Sequence, residues 1–412
     1  MKLIHLSDLH IGKRVNEFSM LEDQRYILGQ ILSIVKQEQA DGVILAGDIY
    51  DKPVPPAEAV QVFDGFLTSL AEMACPVFVI SGNHDSAERL AFGARLMSGR
   101  GIYLSPVYDG EVQTVTLRDE YGEVVIYLLP FVKPAVVRHA LQDRQGENPD
   151  VAETAEDMAA DEDTAGDIDG EKPGGQAVIQ TYQDAVQAAV SRMRLDLQKR
   201  NVLVAHQFVT GASRCESEEV MVGGLDQVDA ALFDGFDYVA LGHIHSPQHV
   251  VRDTVRYCGT PLKYSFSEVN QQKTVTVVEL LEKGSVKISE IPLEPLRDMR
   301  KVRGTYLEVT AKSFYEGTNR SDYIQVTLTD EEDIPDGMQK LRIIYPNLMR
   351  LEYDNRRTRE IRMIDGADAV EKKSELELFG EFYELQNNQE MSEAQETFVR
   401  KLIEELQGRD RL

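Results

Sequence analysis

The sequence predicts an α/β layered protein with partly parallel strands. Short apolar runs of strand length recur between Lys2 and Leu241, and amphipathic helical patterns separate the first three of them. That β-α-β-α-β order is the alternation from which parallel strand pairs are built. The first run covers residues 2–7. A helix is expected over 22–39, where Tyr26, Ile27, Ile31, Ile34 and Val35 share one face. The second run is 42–46, and a second helix over 56–73 carries Val60, Phe63, Phe66, Leu67 and Leu70 at the same spacing. Runs at 76–81, 124–129, 201–205 and 237–241 complete the set. There is no internal repeat.

Beyond residue 270 the character changes. Residues 274–281 and 286–291 form an expected hairpin through Lys283-Gly284. Strands are expected at 305–309, 323–328 and 348–353, with a helix at 335–343, which together make a small α+β module. Two further helices are expected at the end of the sequence. Each opens on a capping box, Ser374-Glu375-Leu376-Glu377 and Ser392-Glu393-Ala394-Gln395, and Asn387-Asn388 would turn one into the other as a helical hairpin.

At 412 residues the chain has room for two or three domains of ~100–200 residues each. With 42% hydrophobic residues it is neither disordered nor collagen-like, and a core of this size needs no disulfide or structural metal. The three cysteines, Cys75, Cys215 and Cys258, are far apart, which favours a reducing compartment. The start turns polar after Leu6, so no signal peptide is expected. The most apolar stretch, 124–137, is interrupted by Pro130, Lys133 and Pro134, so no membrane span is expected and a cytoplasmic protein is the default.

The net charge of −26 argues at first against an anionic partner. Its distribution weakens that argument. Residues 147–171 hold eleven acidic side chains and no Lys or Arg, and they read as a flexible surface insertion. The alternative reading of this insertion is a nucleic-acid mimic or regulatory tether. The segment from Ser374 holds ten acidic and four basic residues, so most of the excess lies outside the α/β region.

Five of the eight histidines fall in short clusters placed behind the apolar runs: Asp8-Leu9-His10, Gly82-Asn83-His84-Asp85, His206 and Gly242-His243-Ile244-His245, with Gly47-Asp48-Ile49-Tyr50-Asp51 as a further cluster. Ligands of α/β sheets gather outside the carboxyl ends of strands, so distant clusters can converge. Carboxylate, imidazole and amide oxygen without thiolate suit a hard-to-borderline divalent metal. Two metals bridged by one carboxylate need about seven donors, and Asp8, His10, Asp48, Asn83, His206, His243 and His245 are seven. The glycines before Asp48, Asn83 and His243 would allow sharp strand-to-loop turns. Residues i and i+2 share a side of an extended segment, so Asp8 with His10, and His243 with His245, could each aim at one centre. Each cluster alone has an ordinary reading as a turn, a cap or a satisfied core histidine. Their occurrence together, in this order, points to a metal site.

D-x-H, G-D-x-x-D, G-N-H-D, H and G-H-x-H resemble the motifs of the calcineurin-like metallophosphoesterases. The stretches KLIHLSDLHIGK, LAGDIYDKPVPP, VISGNHDSAERL and YVALGHIH are similar to the SbcD family within them, the nuclease subunits of SbcCD complexes. The resemblance covers nearly the whole chain, apart from the acidic insertion. It implies a two-layer β-sandwich flanked by helices over 1–292, a small α+β capping and DNA-recognition domain over 293–365, and a linker with a docking hairpin over 366–412. It further implies two divalent metals, Mn²⁺ in such families. Asp8, His10, Asp48 and His245 would hold the first, and Asp48, Asn83, His206 and His243 the second. His84 would act at the scissile phosphate, with Asp85 orienting its ring.

The implied function is hydrolysis of DNA phosphodiester bonds, as an exonuclease on double-stranded ends and an endonuclease on single-stranded or hairpin DNA, in repair, replication and recombination. An SbcC-type ATPase would be the partner, in a heterotetramer containing a homodimer of this chain. Lys13, Arg14, Lys52 and Arg89 follow the clusters and could meet substrate phosphates. Two basic segments, 297–303 and 350–362, could guide DNA or form internal salt bridges. The apolar stripe of the end helices, Leu376, Phe379, Phe382 and Tyr383 with Phe398, Leu402, Ile403 and Leu406, would dock the ATPase. An enzyme for small phosphodiesters or phosphoproteins, and a non-enzymatic DNA-end scaffold, remain as competing readings.

Overall fold

The computed structural model describes residues 1–144, 179–218 and 226–358, with positions 376, 379–380, 383, 391–392, 395–400 and 402 of the C-terminal segment. The acidic insertion at 147–171 lies outside the described residues. The chain divides into two compact units, Met1–Leu296 and Arg297–Leu412.

The first unit holds two six-stranded sheets. The first sheet runs, edge to edge, Val286–Pro292, Thr274–Leu280, Lys2–Leu6, Gly42–Ala46, Val77–Ile80 and Ile102–Leu104. Its last four strands are parallel, with Leu3 opposite Gly42 and Val43 opposite Val77. The Thr274–Leu280 strand closes the other side antiparallel to Lys2–Leu6, as one arm of the hairpin the sequence predicts. The second sheet runs Gln248–Val250, Arg252–Tyr257, Tyr238–Gly242, Arg200–His206, Gly122–Leu128 and Gln113–Asp119. Its central four strands are parallel and its edges antiparallel.

Parallel strands buried on both faces read as unbroken apolar runs, and GVILA is buried at all five positions. The inward side of each strand builds the layer between the sheets. Leu3, Ile44, Ala46, Phe78 and Ile80 meet Ile126, Leu128, Val202, Val204 and Ala240 there, with Tyr238 as the largest side chain. The helices Leu21–Glu38 and Ala57–Glu72 are the crossovers between the first three parallel strands, and they bury Ile27, Ile31, Val35, Phe63, Phe66 and Leu70. The outer face of the second sheet packs Val125, Leu203, Val239 and Leu241 against Val137, Ala140, Ala185, Val186 and Ala189 of the helices Pro134–Arg144 and Tyr182–Ser191. This is the helix-flanked two-layer sandwich.

In the second unit three parallel strands, Met299–Gly304, Tyr323–Leu328 and Leu348–Tyr353, form one sheet with Tyr323–Leu328 in the middle. The helix Gly337–Arg342 adds Leu341 to its core. The strand expected at 305–309 is a helix, Tyr306–Thr310. Thr305 caps it: the Glu308 amide donates to Thr305 Oγ1 at 3.3 Å and the Thr305 amide to Glu308 Oε2 at 2.7 Å. A T-x-x-E capping box outweighs β propensity in so short a segment. The strand lies one segment earlier, inside the stretch read for its charge. Part of the charge of the two basic segments is paired within the unit: Arg300 with Asp322 at 2.7 Å, Arg303 with Asp354, Arg350 with Glu352 at 2.6 Å and Arg357 with Asp333 at 2.9 Å, while residues 359–362 lie outside the described residues.

Candidate metal centre

Every expected donor stands at the carboxyl end of a parallel strand. Asp8 and His10 follow Lys2–Leu6, Asp48 follows Gly42–Ala46, and Asn83 follows Val77–Ile80 in the first sheet. His206 ends Arg200–His206, and His243 and His245 follow Tyr238–Gly242 in the second. The sheets are joined here. His206 Nδ1 donates to the Ala46 carbonyl across the sandwich at 2.8 Å, and the His243 amide donates to Asp8 Oδ1 at 3.0 Å.

The donors form two overlapping groups. Donor atoms of Asp8, His10 and His245 lie within 4.8 Å of one another, and so do those of Asp8, Asp48 and His206. His10 Nε2 and His245 Nε2 face each other at 3.1 Å. Asn83 Oδ1 is 3.0 Å from both His206 Nε2 and His243 Nδ1. Asp48 reaches both groups, because its Oδ2 is 3.3 Å from His206 Nε2 and 3.8 Å from His10 Nε2. Its other oxygen accepts the His84 amide at 2.9 Å, which aims the carboxylate.

Asp8 and His10 do aim at one group, but the i, i+2 argument fails for His243 and His245. His245 meets His10, whereas His243 meets Asn83 and His206. The loops are not extended: φ is +52° at Asp8, +44° at His10, +50° at Asp48 and +103° at His243. Left-handed backbone at four non-glycine residues is strain of the kind that proteins keep at functional sites. The glycines act partly through space rather than turning. Gly47 is left-handed, at φ +88°, but a Cβ at Gly82 would stand 2.1 Å from Asp48 Oδ1 and one at Gly242 1.9 Å from the Ala46 carbonyl oxygen.

These residues fit a divalent cation pair. Asp8, His10, Asp48, His206 and His245 are buried. His10 Nδ1 and His243 Nε2 have no hydrogen-bond partner among the described residues. Crowded, unsatisfied buried imidazoles are costly unless a cation draws on them. The site therefore suits two metal ions. Burial pushes His243 down to about 3 and drives His10 and His245 down as well, which favours the neutral ring that a metal would require. Burial also pushes Asp8 up to about 7. Burial opposes charge on both Asp48 and His206, yet their mutual attraction outweighs it. Asp48 is held well below the usual carboxylate range and His206 is held up at about 9.

His84 stands beside the first group, its ring 4.9 Å from that of His10. Behind it is the Asp51 carbonyl, 3.2 Å from Nδ1, where the sequence expectation placed Asp85. Asp85 instead accepts the amides of Gly82 at 3.0 Å, Ile49 at 3.0 Å and Tyr50 at 2.9 Å, so it ties two ligand loops together. Sequence reasoning also missed Gln24, whose amide holds the His10 carbonyl at 2.7 Å and meets the Tyr264 hydroxyl at 2.9 Å. Its signal was legible: a glutamine in register with Ile27, Leu28 and Ile31 on the buried face of a helix.

The basic residues divide. Lys13 is 2.7 Å from Asp51 and only 16% exposed, so its ammonium is engaged within the protein. Arg14 and Arg89 are exposed and donate to the carbonyls of Glu17 and Pro53. Lys52 is exposed and has no ion pair among the described residues. In the C-terminal segment the second capping box is present, with the Gln395 amide donating to Ser392 Oγ at 3.4 Å. Phe379, Phe398 and Leu402 are exposed and Leu376 is half-buried, while Phe382 and Leu406 lie outside the described residues. No helix of the described residues is long and apolar enough to cross a membrane.

Residues 1–247 match the calcineurin-like phosphoesterase family, and residues 295–387 match the SbcD_C family, described as the type 5 capsule protein repressor C-terminal domain. The chain is 29% identical over 410 residues to the SbcD subunit of the SbcCD nuclease from Staphylococcus epidermidis, covering 98% of each protein. It is 32% identical over 357 residues to the counterpart from Staphylococcus saprophyticus, covering 85% of this chain and 84% of the relative. The strand-end donor set and these matches along nearly the full length agree, and the chain belongs to the calcineurin-like phosphoesterases, in the SbcD family.

Proposed function

We propose that this chain is a two-metal DNA nuclease, the hydrolytic subunit of an SbcCD-type complex. One observation carries the reading: seven candidate donors stand at five strand ends, where Asp8 belongs both to a group with His10 and His245 and to one with Asp48 and His206, and Asp48 lies 3.3 Å from His206 and 3.8 Å from His10. Asp8, His10, Asp48 and His245 would hold one ion, and Asp48, Asn83, His206 and His243 the other, with Mn²⁺ as the expected metal. When bound, two such ions neutralise charge on the non-bridging phosphate oxygens and acidify a water for attack.

The chain's own residues do the rest. The His84 ring gives its Nδ1 hydrogen to the Asp51 carbonyl, so in the doubly protonated ring the Nε2 hydrogen would be the one passed to the leaving oxygen, with the ring left neutral. The His84 amide keeps Asp48 aimed between the two groups. Lys52, Arg14 and Arg89 are exposed close to the ligand loops and would meet the DNA backbone. The second unit would cap the substrate. The C-terminal helices, with Phe379, Phe398 and Leu402 exposed, would dock an SbcC-type ATPase, and the active assembly would contain two copies of this chain. The three free cysteines fit a reducing, cytoplasmic compartment.

The test is a nuclease assay of the full chain with Mn²⁺ on a linear duplex and on a hairpin, with and without the ATPase subunit. Cleavage of both DNAs that strengthens with the ATPase is expected. Hydrolysis confined to small phosphodiesters, or no hydrolysis with two metals bound, would overturn the reading.

A further inference from the structure

Behind His245 lies a chain of polar side chains that the mechanism above does not use. His245 Nδ1 is 2.7 Å from Ser217 Oγ. The same hydroxyl donates to Glu268 Oε1 at 2.6 Å, and Glu268 Oε2 is 2.6 Å from Lys273 Nζ. Lys273 also donates to the His245 carbonyl at 2.9 Å, and the His245 amide donates to Glu218 Oε1 at 2.7 Å. His245 is therefore held at its amide, its carbonyl and its ring. The Lys273–Glu268 pair is buried, with side chains 4% and 0% exposed. A buried ion pair is weak evidence of a stabilising purpose.

The proton directions are fixed by the partners. A carboxylate only accepts, so the single Ser217 hydrogen goes to Glu268. The Ser217 lone pair then accepts the hydrogen on His245 Nδ1. This leaves the His245 Nε2 lone pair facing His10 Nε2 at 3.1 Å, in the group that also contains Asp8. Cys215, His245 and Glu268 could also gather around a cation, but the Lys273 ammonium already occupies Glu268.

We propose that Lys273, Glu268 and Ser217 are positioning residues that lock His245 in the tautomer required of a ligand in the first metal group. The proposal rests on the two-metal reading. Partners of this kind typically change metal affinity by about 10–100-fold. The experiment is calorimetric titration of Mn²⁺ into the chelator-stripped full chain, for the wild type, Ser217→Ala and Ser217→Thr, with the melting temperature of each in excess chelator.

The expected result is two ions per wild-type chain. In Ser217→Ala one site should weaken about 10–100-fold while the other stays within about threefold, and Ser217→Thr should restore it. Melting temperatures without metal should agree within a few degrees. Two sites of wild-type affinity in Ser217→Ala would overturn the relay alone. So would equal weakening of both sites, or a loss that Ser217→Thr does not restore. A wild-type chain that takes up no metal would overturn the two-metal reading and the relay with it.

Discussion

His5 and His206 are both fully buried, one in the layer between the sheets and one at its carboxyl end, and their surroundings shift their basicity in opposite directions. His5 has a Tyr238 hydroxyl at 2.9 Å and apolar strands around it, and burial pushes it down to about 3. At His206 burial acts in the same direction, yet the Asp48 and Asp8 carboxylates hold it up at about 9. The interior excludes charge, whereas the strand ends a few residues away concentrate it on strained backbone. Regions of equal burial thus serve different ends: the layer supplies stability, and the strand ends give up stability to hold donors that a cation can use.

Substitutions in the two regions should separate these roles. The largest effect is expected from Asp48→Ala, which removes the carboxylate that stands between His206 and His10. Bound metal should fall from two ions per chain to near none by elemental analysis, and turnover should fall more than about a thousandfold. A variant that keeps two ions would erase the distinction drawn for Asp48. His84→Ala should leave both ions in place and lower nuclease turnover by ~10²–10⁴-fold. Near-normal turnover in that variant would remove His84 from the mechanism.

Phe78→Ala tests the other region. It opens a cavity in the layer between the sheets and should cost about 3–5 kcal/mol in denaturant unfolding, while two ions still bind below the melting point. Loss of metal from the folded variant would show that layer and site are not separable. The smallest effect is expected at the rim. Lys52→Ala should weaken DNA binding modestly and lower the salt slope by about one, whereas Lys13→Ala, already engaged by Asp51, should leave the slope unchanged. Equal slopes for the two variants would contradict the division between them.

Much of this was legible in the sequence because it depends on local chemistry. Apolar runs such as GVILA and the helical face of Ile27, Ile31 and Val35 announced the α/β layers, since burial on two faces or one stripe leaves its period in the chain. The seven residues were legible as candidate donors because carboxylates, an amide and imidazoles recur together behind strand after strand. The edge strands Gln113–Asp119 and Gln248–Val250 were missed, because alternating polar residues there leave a weak apolar signal. The helix at Tyr306–Thr310 was misread, although its capping box was in view.

The sequence alone determined the residue types at the centre, the strand ends that carry them and the layered α/β class, with the sandwich implied by its resemblance to a family. The tertiary structure decided which side chains the candidate donors face. His243 and His245 are two residues apart yet belong to different groups, because left-handed turns replace the extended geometry that would have kept them together. It also decided what stands behind each ligand: an Asp51 carbonyl for His84, a Gln24 amide for the His10 backbone, and a serine, glutamate and lysine for His245. Such partners come from segments far apart in the chain, and only packing brings them within hydrogen-bond distance.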